Sequence, residues 1–134
     1  MATPGPTISL SLRYRDAPAA IEWLCTAFGF EKNMVVPGEN GTIAHAQLTY
    51  DGGMIMLGSA DRGSEFDRIA PPPGNSAAYV VVDDADAHHD RAKAAGAKIV
   101  YPLTDQEYGS RDYAARDPEG NLWSFGTYRP TMED

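Results

Sequence analysis

The sequence predicts an α+β fold made of two tandem βαβββ modules, which together form a cupped mixed β-sheet with helices on its outer face. Two observations lead there. The order strand, helix, three strands is written twice along 134 residues. The two helix frames, Asp16 to Gly29 and Asp83 to Gly96, each advance 13 positions from aspartate to glycine and lie 67 apart, which is half of 134. Duplication of a unit of about 60 residues explains both. The chain is read as one domain, 1–134, with modules at about 7–58 and 77–128 and a linker at about 59–76.

The first strand runs from Thr7 to Tyr14, where Ile8, Leu10, Leu12 and Tyr14 alternate with Ser9, Ser11 and Arg13. Alternation of period two marks a half-buried strand. Asp16 precedes Ala17-Pro18, a helix N-cap followed by proline in the first turn. The helix continues through Ile21, Trp23, Leu24, Cys25 and Phe28 to a natural stop at Gly29. Three strands follow: Met34 to Val36, Ile43 to Tyr50, and Met54 to Leu57 after the Asp51-Gly52-Gly53 turn.

The second half repeats this order. Ala77 to Val82 is a strand, and Asp83 or Asp84 caps a helix through Ala87, Arg91, Ala92 and Ala95. Ile99 to Tyr101, Asp112 to Ala115 and Leu122 to Thr127 are the remaining strands, the last two joined by Asp117-Pro118-Glu119-Gly120-Asn121. That segment reads as a turn, with its backbone set by proline and glycine. The linker, with Pro71-Pro72-Pro73-Gly74, reads as a mobile loop.

Composition narrows the function classes. Hydrophobic residues make up 43% of the chain, an ordinary globular share. No apolar run approaches the ~18 residues of a spanning helix, so no membrane role is expected. Met1 to Pro6 lacks the charged and apolar stretches of a secretory signal, and a cytoplasmic location is expected. The formal charge of −8 argues against nucleic acid, which needs basic patches, and permits attraction of cationic ligands. The single cysteine, Cys25, cannot form an internal disulfide and reads as a structural thiol among apolar helix neighbours.

Strand alternation assigns faces. Leu10, Leu12, Ala46, Leu48, Ile55, Leu57, Ala78, Val80, Trp123 and Phe125 belong to an apolar set that should lie under the helices. The opposite set is mixed: Ser9, Ser11, Arg13, His45, Gln47, Thr49, Met54, Met56, Ala77, Tyr79 and Ser124. Methionine, tyrosine, serine, histidine and glutamine together suit a concave wall around a small molecule, with a partly wet sheet or a dimer contact surface as the alternative. His88 and His89, beside Asp86 and Asp90 on the second helix, read as solvent-facing; neighbours on a helix diverge by about 100° and cannot chelate together.

Three stretches carry a family resemblance. They are Leu12-Arg13-Tyr14-Arg15-Asp16 with the helix Ala20 to Phe30, the run Tyr108 to Asn121, and Leu122-Trp123-Ser124-Phe125. Together with the βαβββ duplication they resemble the vicinal oxygen chelate group, which includes glyoxalases, bleomycin-resistance proteins and dioxygenases. The resemblance implies a cupped sheet and a homodimer. It also implies four positions that hold a divalent metal in glyoxalase-type members, corresponding here to Ser9, Met56, Ala77 (Ser76 if the register slips by one) and Ser124. A catalytic metal site needs about three ligands from histidine, cysteine or carboxylates, which this set cannot supply. No metal or other cofactor is therefore expected.

The resulting expectation is a metal-free protein, closest to the bleomycin-resistance type, that binds a small cationic or aromatic molecule in the cup or a dimer groove. Its ligand-binding residues would be Ser9, Ser11, His45, Gln47, Met54, Met56, Tyr79, Arg111, Tyr113 and Ser124. Only one of the neighbours Arg111 and Asp112 can face the cup. The alternative is an enzyme of the same group, a lyase, isomerase or dioxygenase that is metal-independent or uses a different metal site. Fold alone does not choose between them.

Overall fold

The computed structural model describes residues 3–133. Strand β1 (Leu10–Tyr14) leads to helix α1 (Ala17–Phe28), then β2 (Glu31–Pro37), a 3-10 turn (Glu39–Gly41), β3 (Ile43–Tyr50) and β4 (Gly53–Ser59). Helix α2 (Glu65–Ile69) follows, then β5 (Ala77–Val81), α3 (Ala85–Ala94), β6 (Lys98–Asp105), β7 (Arg111–Arg116) and β8 (Leu122–Gly126). The strands form two four-stranded mixed sheets, ordered β1-β4-β3-β2 and β5-β8-β7-β6. In each, the first strand of the half lies parallel to the last and the other pairings are antiparallel.

Local chemistry fixes the helix ends. The Asp16 side chain accepts the Ala19 N–H at 3.2 Å, and Gly29 closes α1 in the left-handed conformation (φ 83°). In the second half the cap is Asp84, which accepts the Ala87 N–H at 3.0 Å. The caps are therefore 68 apart, whereas the stopping glycines, Gly29 and Gly96 (φ 92°), keep the 67-residue spacing. The two-residue loop Asp51-Gly52, with φ of 43° and 85°, makes the tight hairpin between β3 and β4.

The apolar faces of both sheets serve one core. Phe28, at the end of α1, packs on Phe125 and Trp123 of the other half, with ring centroids 4.7 and 5.7 Å away. Phe30 packs on Trp123 at 5.6 Å. Hydrogen bonds add to this union. Arg91 of α3 donates to the Thr26 and Cys25 carbonyls, and the Trp23 indole donates to the Ala95 carbonyl. Asp117 is buried and accepts from Tyr14, Asn121 and Trp123 at 2.6–3.1 Å. Its neighbour Glu119 accepts the Arg15 and Asp16 backbone N–H groups. The Asp117–Asn121 turn thus clamps β1 to the second half.

Three expectations change here. The linker is not wholly loop, because α2 lies in it, held by a capping box between Ser64 and Asp67. β1 begins at Leu10, so Ser9 precedes it. His88 is buried rather than solvent-facing, since α3 turns it into the shared core. There its Nε2–H donates to the Phe28 carbonyl (2.9 Å), and Nδ1 accepts from the Tyr113 hydroxyl (2.5 Å).

Candidate functional site

Each sheet has a second face, turned away from the core. On the first sheet, register aligns Ser11, Met56, Gln47 and Met34 across β1, β4, β3 and β2. On the second sheet, the matching row is Tyr79, Ser124, Ala114 and Tyr101. Ser11 and Tyr79 are exposed, and Met56, Gln47 and Ser124 are half-buried. These faces are the open walls that strand alternation anticipated.

The first wall carries a short polar chain. His45 Nε2 meets Gln47 Oε1 at 2.9 Å, and the Gln47 amide donates to Asn33 at 2.8 Å. At its end Arg13 leaves the open face under α2. It pairs with Asp67, donates to the Ser59 carbonyl at 2.9 Å and lies 5.5 Å from the Phe66 ring centroid.

The second wall carries the stronger chemical character. Asp112 points onto it and accepts hydrogen bonds from Ser110 and, at 3.1 Å, from Tyr108. The Tyr79 hydroxyl donates to the Tyr128 carbonyl at 2.6 Å, and Tyr108 meets Tyr128 edge-on at 5.8 Å. Burial, then the Asp112 charge, pushes the Tyr79 hydroxyl pKa above its ordinary value. Tyr108 moves the same way, by desolvation and then by its bond to Asp112. Gly126 makes the arrangement possible: a Cβ there would strike the Asp112 carboxylate and come within 2.7 Å of the Tyr79 hydroxyl. Among the described residues, no lysine, arginine or histidine forms an ion pair with Asp112.

Two expected site residues lie elsewhere. Arg111 faces the helix side, bound to Asp86 of α3 through two 3.0 Å hydrogen bonds and to Asp105 at 3.1 Å. Tyr113 shares that side and is fully buried, stacked on Phe125 at 5.2 Å. Parity explains both. Arg111, Tyr113 and Ala115 point one way along β7, while Asp112, Ala114 and Arg116 point the other. The apolar pair Tyr113 and Ala115 was the signal that could have placed Asp112 on the open face. The parts played by Tyr101, Tyr108 and Tyr128 had no comparable local signal.

Ser9 is half-buried ahead of β1, and Met54 turns toward a cavity of about 480 Å³ between the halves, which Tyr79 also borders. Most of its wall is on the helix side, from Leu10, Ile55, Ala78, Val80 and Trp123, so the cavity lies at the junction of the two sheets rather than on the open rows.

The positions implied for a metal do not fit one. Register sets Ser11 rather than Ser9 across from Met56, and Tyr79 rather than Ala77 across from Ser124. Either choice offers only hydroxyls, a thioether or an alanine methyl, without imidazole or carboxylate. Among the described residues no group of three histidine, cysteine, aspartate or glutamate side chains is gathered as a metal would need.

Known proteins match this architecture along nearly all of its length. An uncharacterized protein of Mycobacterium bovis is 33% identical over 125 residues, covering 90% of this chain and 82% of that one. An uncharacterized protein of Mycobacterium tuberculosis is likewise 33% identical, covering 90% of this chain and 74% of its own. The crystal structure of TioX from Micromonospora sp. ML1 superposes with a TM-score of 0.77 at 37% identity, covering 93% of this chain and 100% of that one. Lactoylglutathione lyase from Agrobacterium tumefaciens superposes with a TM-score of 0.68 at 22% identity, over 92% and 94% of the two chains, a likeness of fold alone. The family model of the glyoxalase/bleomycin resistance protein/dioxygenase superfamily matches residues 8–125, and the chain belongs to that superfamily.

Proposed function

We propose that this protein binds a small, planar and cationic molecule on its open sheet faces without a metal, as a cytoplasmic homodimer. The observation that carries the reading is Asp112, a carboxylate without a cationic partner among the described residues, set beside Tyr79, Tyr108 and Tyr128. Aromatic faces attract cations, and a nearby carboxylate adds charge complementarity. Ser11, His45, Gln47, Met56 and Ser124 supply the remaining polar and thioether contacts. The edge strands β2 and β6 expose Met34, Val35, Val36, Val100 and Tyr101, between 40% and 46% each, which suits burial against a second copy. Capture of a drug-like compound, a resistance role, is the biological form this reading favours.

Calorimetric titration with bleomycin and a panel of planar cationic compounds tests it. Binding is expected for at least one, weakened about tenfold by Asp112→Asn. No binding across the panel, or one tightly held metal per chain by elemental analysis, overturns the reading. Sedimentation equilibrium should give the mass of two chains.

A further inference from the structure

The two halves share a core but part at the start of β1 and along β5. The gap is the cavity of about 480 Å³. Leu10 and Ile55 wall it from the first sheet, and Ala78, Val80 and Trp123 wall it from the second. These side chains alternate with Ser11, Met56, Tyr79 and Ser124, so most of the wall lies on the helix side of the sheets, while Met54, Tyr79 and Val81 border the cavity from the open-face side of the junction. Close packing leaves few voids larger than a water molecule in a protein interior. A cleft this size, with apolar walls and few polar groups, has the dimensions of a ligand site.

Its mouth is acidic. Tyr50 and Asp51 form a ledge shared with a smaller pocket of about 270 Å³, which Glu31 and Asp83 also border. Among the described residues, two cations lie near this rim: Arg129, 3.3 Å from Asp51 with both side chains more than half exposed, and Arg91, whose guanidinium lies against Gly29 at the smaller pocket. An exposed pair of this kind contributes little and exchanges readily. β5 is an edge strand, so one row of its backbone N–H and C=O groups has no strand partner beside the cleft. The cleft therefore runs from a largely apolar floor to a mouth at Asp51, and adjoins at Tyr50, Asp51 and Val81 the pocket that carries Glu31 and Asp83, so three carboxylates against two arginines leave a cationic end group well placed.

We propose that this junction cleft is a second ligand site, which takes an amphipathic organic cation. Its apolar body lies between Leu10 and Ile55 on one side and Ala78 and Val80 on the other, and its charged end faces Asp51 and Asp83. The site meets the Asp112 wall at Tyr79 but does not include Asp112, Tyr108 or Tyr128, and it stands independently of the function proposed for that wall.

Fluorescence titration of the full chain with the cationic dye thioflavin T tests the site, with the anionic dye 1-anilinonaphthalene-8-sulfonate as the comparison. One thioflavin T should bind per chain at the cleft, more weakly as salt rises, and far more tightly than the anionic dye. Ala78→Trp, which fills the cavity, should abolish binding while far-UV circular dichroism reports an intact fold. If that variant does not fold, the pair Asp51→Asn and Asp83→Asn decides. Asparagine tolerates the positive φ of Asp51, and the double variant should bind about tenfold more weakly. Unchanged binding in a folded Ala78→Trp or in the double variant overturns the proposal. So does equal binding of the two dyes, or loss of thioflavin T binding on Asp112→Asn, which would place the dye on the open face.

Discussion

Burial sets the charge state of His88. The ring is surrounded by Phe28, Tyr113 and Phe125, the last at 4.2 Å between centroids, and both its nitrogens have fixed partners. Desolvation first, then the Arg91 charge, lowers its pKa below the usual 6.5. An unfolded chain takes up a proton near 6.5 while the folded chain refuses it. Stability is therefore greatest above that value and falls as pH drops, until the folded imidazole also ionises. Denaturant midpoints at about pH 7.5 and about pH 5 should show this loss, and His88→Gln should flatten that part of the profile. Asp112 shows what a single position can hide. Sequence places it beside Arg111 and allows only one of the two to face the cup, without saying which. In the fold their side chains lie on opposite faces, and Arg111 is satisfied by Asp86 and Asp105. The open carboxylate follows from parity, but its tyrosine surroundings require β7, β8 and the segment after β8 to be assembled.

At the scale of elements, the strongest local signals held. Asp16 and Gly29 bound α1, and β3 spans Ile43–Tyr50 as its alternation indicates. β6 runs to eight residues, longer than its apolar center Ile99-Val100-Tyr101 suggests, because pairing with β7 extends it through register shifts. Helix α2 went unseen because five residues cannot form a stable helix from propensity alone. Tertiary contacts hold it. Asp67 accepts the Arg62 and Ser64 backbone N–H groups and binds Arg13 of β1. Asp67→Ala should therefore release α2, raising amide hydrogen exchange over 65–69 and lowering global stability by about 1 kcal/mol. Exchange unchanged in that segment would mean that packing of Phe66 alone is sufficient.

Across the whole molecule, the halves are joined more closely than their linker suggests. Phe28 lies under the second sheet, Tyr14 reaches Asp117, and Arg91 caps the end of α1. Phe28→Ala should cost about 3–5 kcal/mol, and thermal unfolding should remain a single transition for both halves. Two separate transitions by calorimetry would contradict a shared core. The sequence by itself determined the duplicated βαβββ order, the helix-facing apolar set and the lack of metal-binding side chains at the implied positions. These follow from periodicity and residue chemistry, which are local. Tertiary structure decided that His88 and Tyr113 are interior, that Arg111 faces the helices while Asp112 faces out, and that a cavity of about 480 Å³ lies between the halves. Those outcomes depend on how two similar units pack together, and local periodicity does not encode that packing.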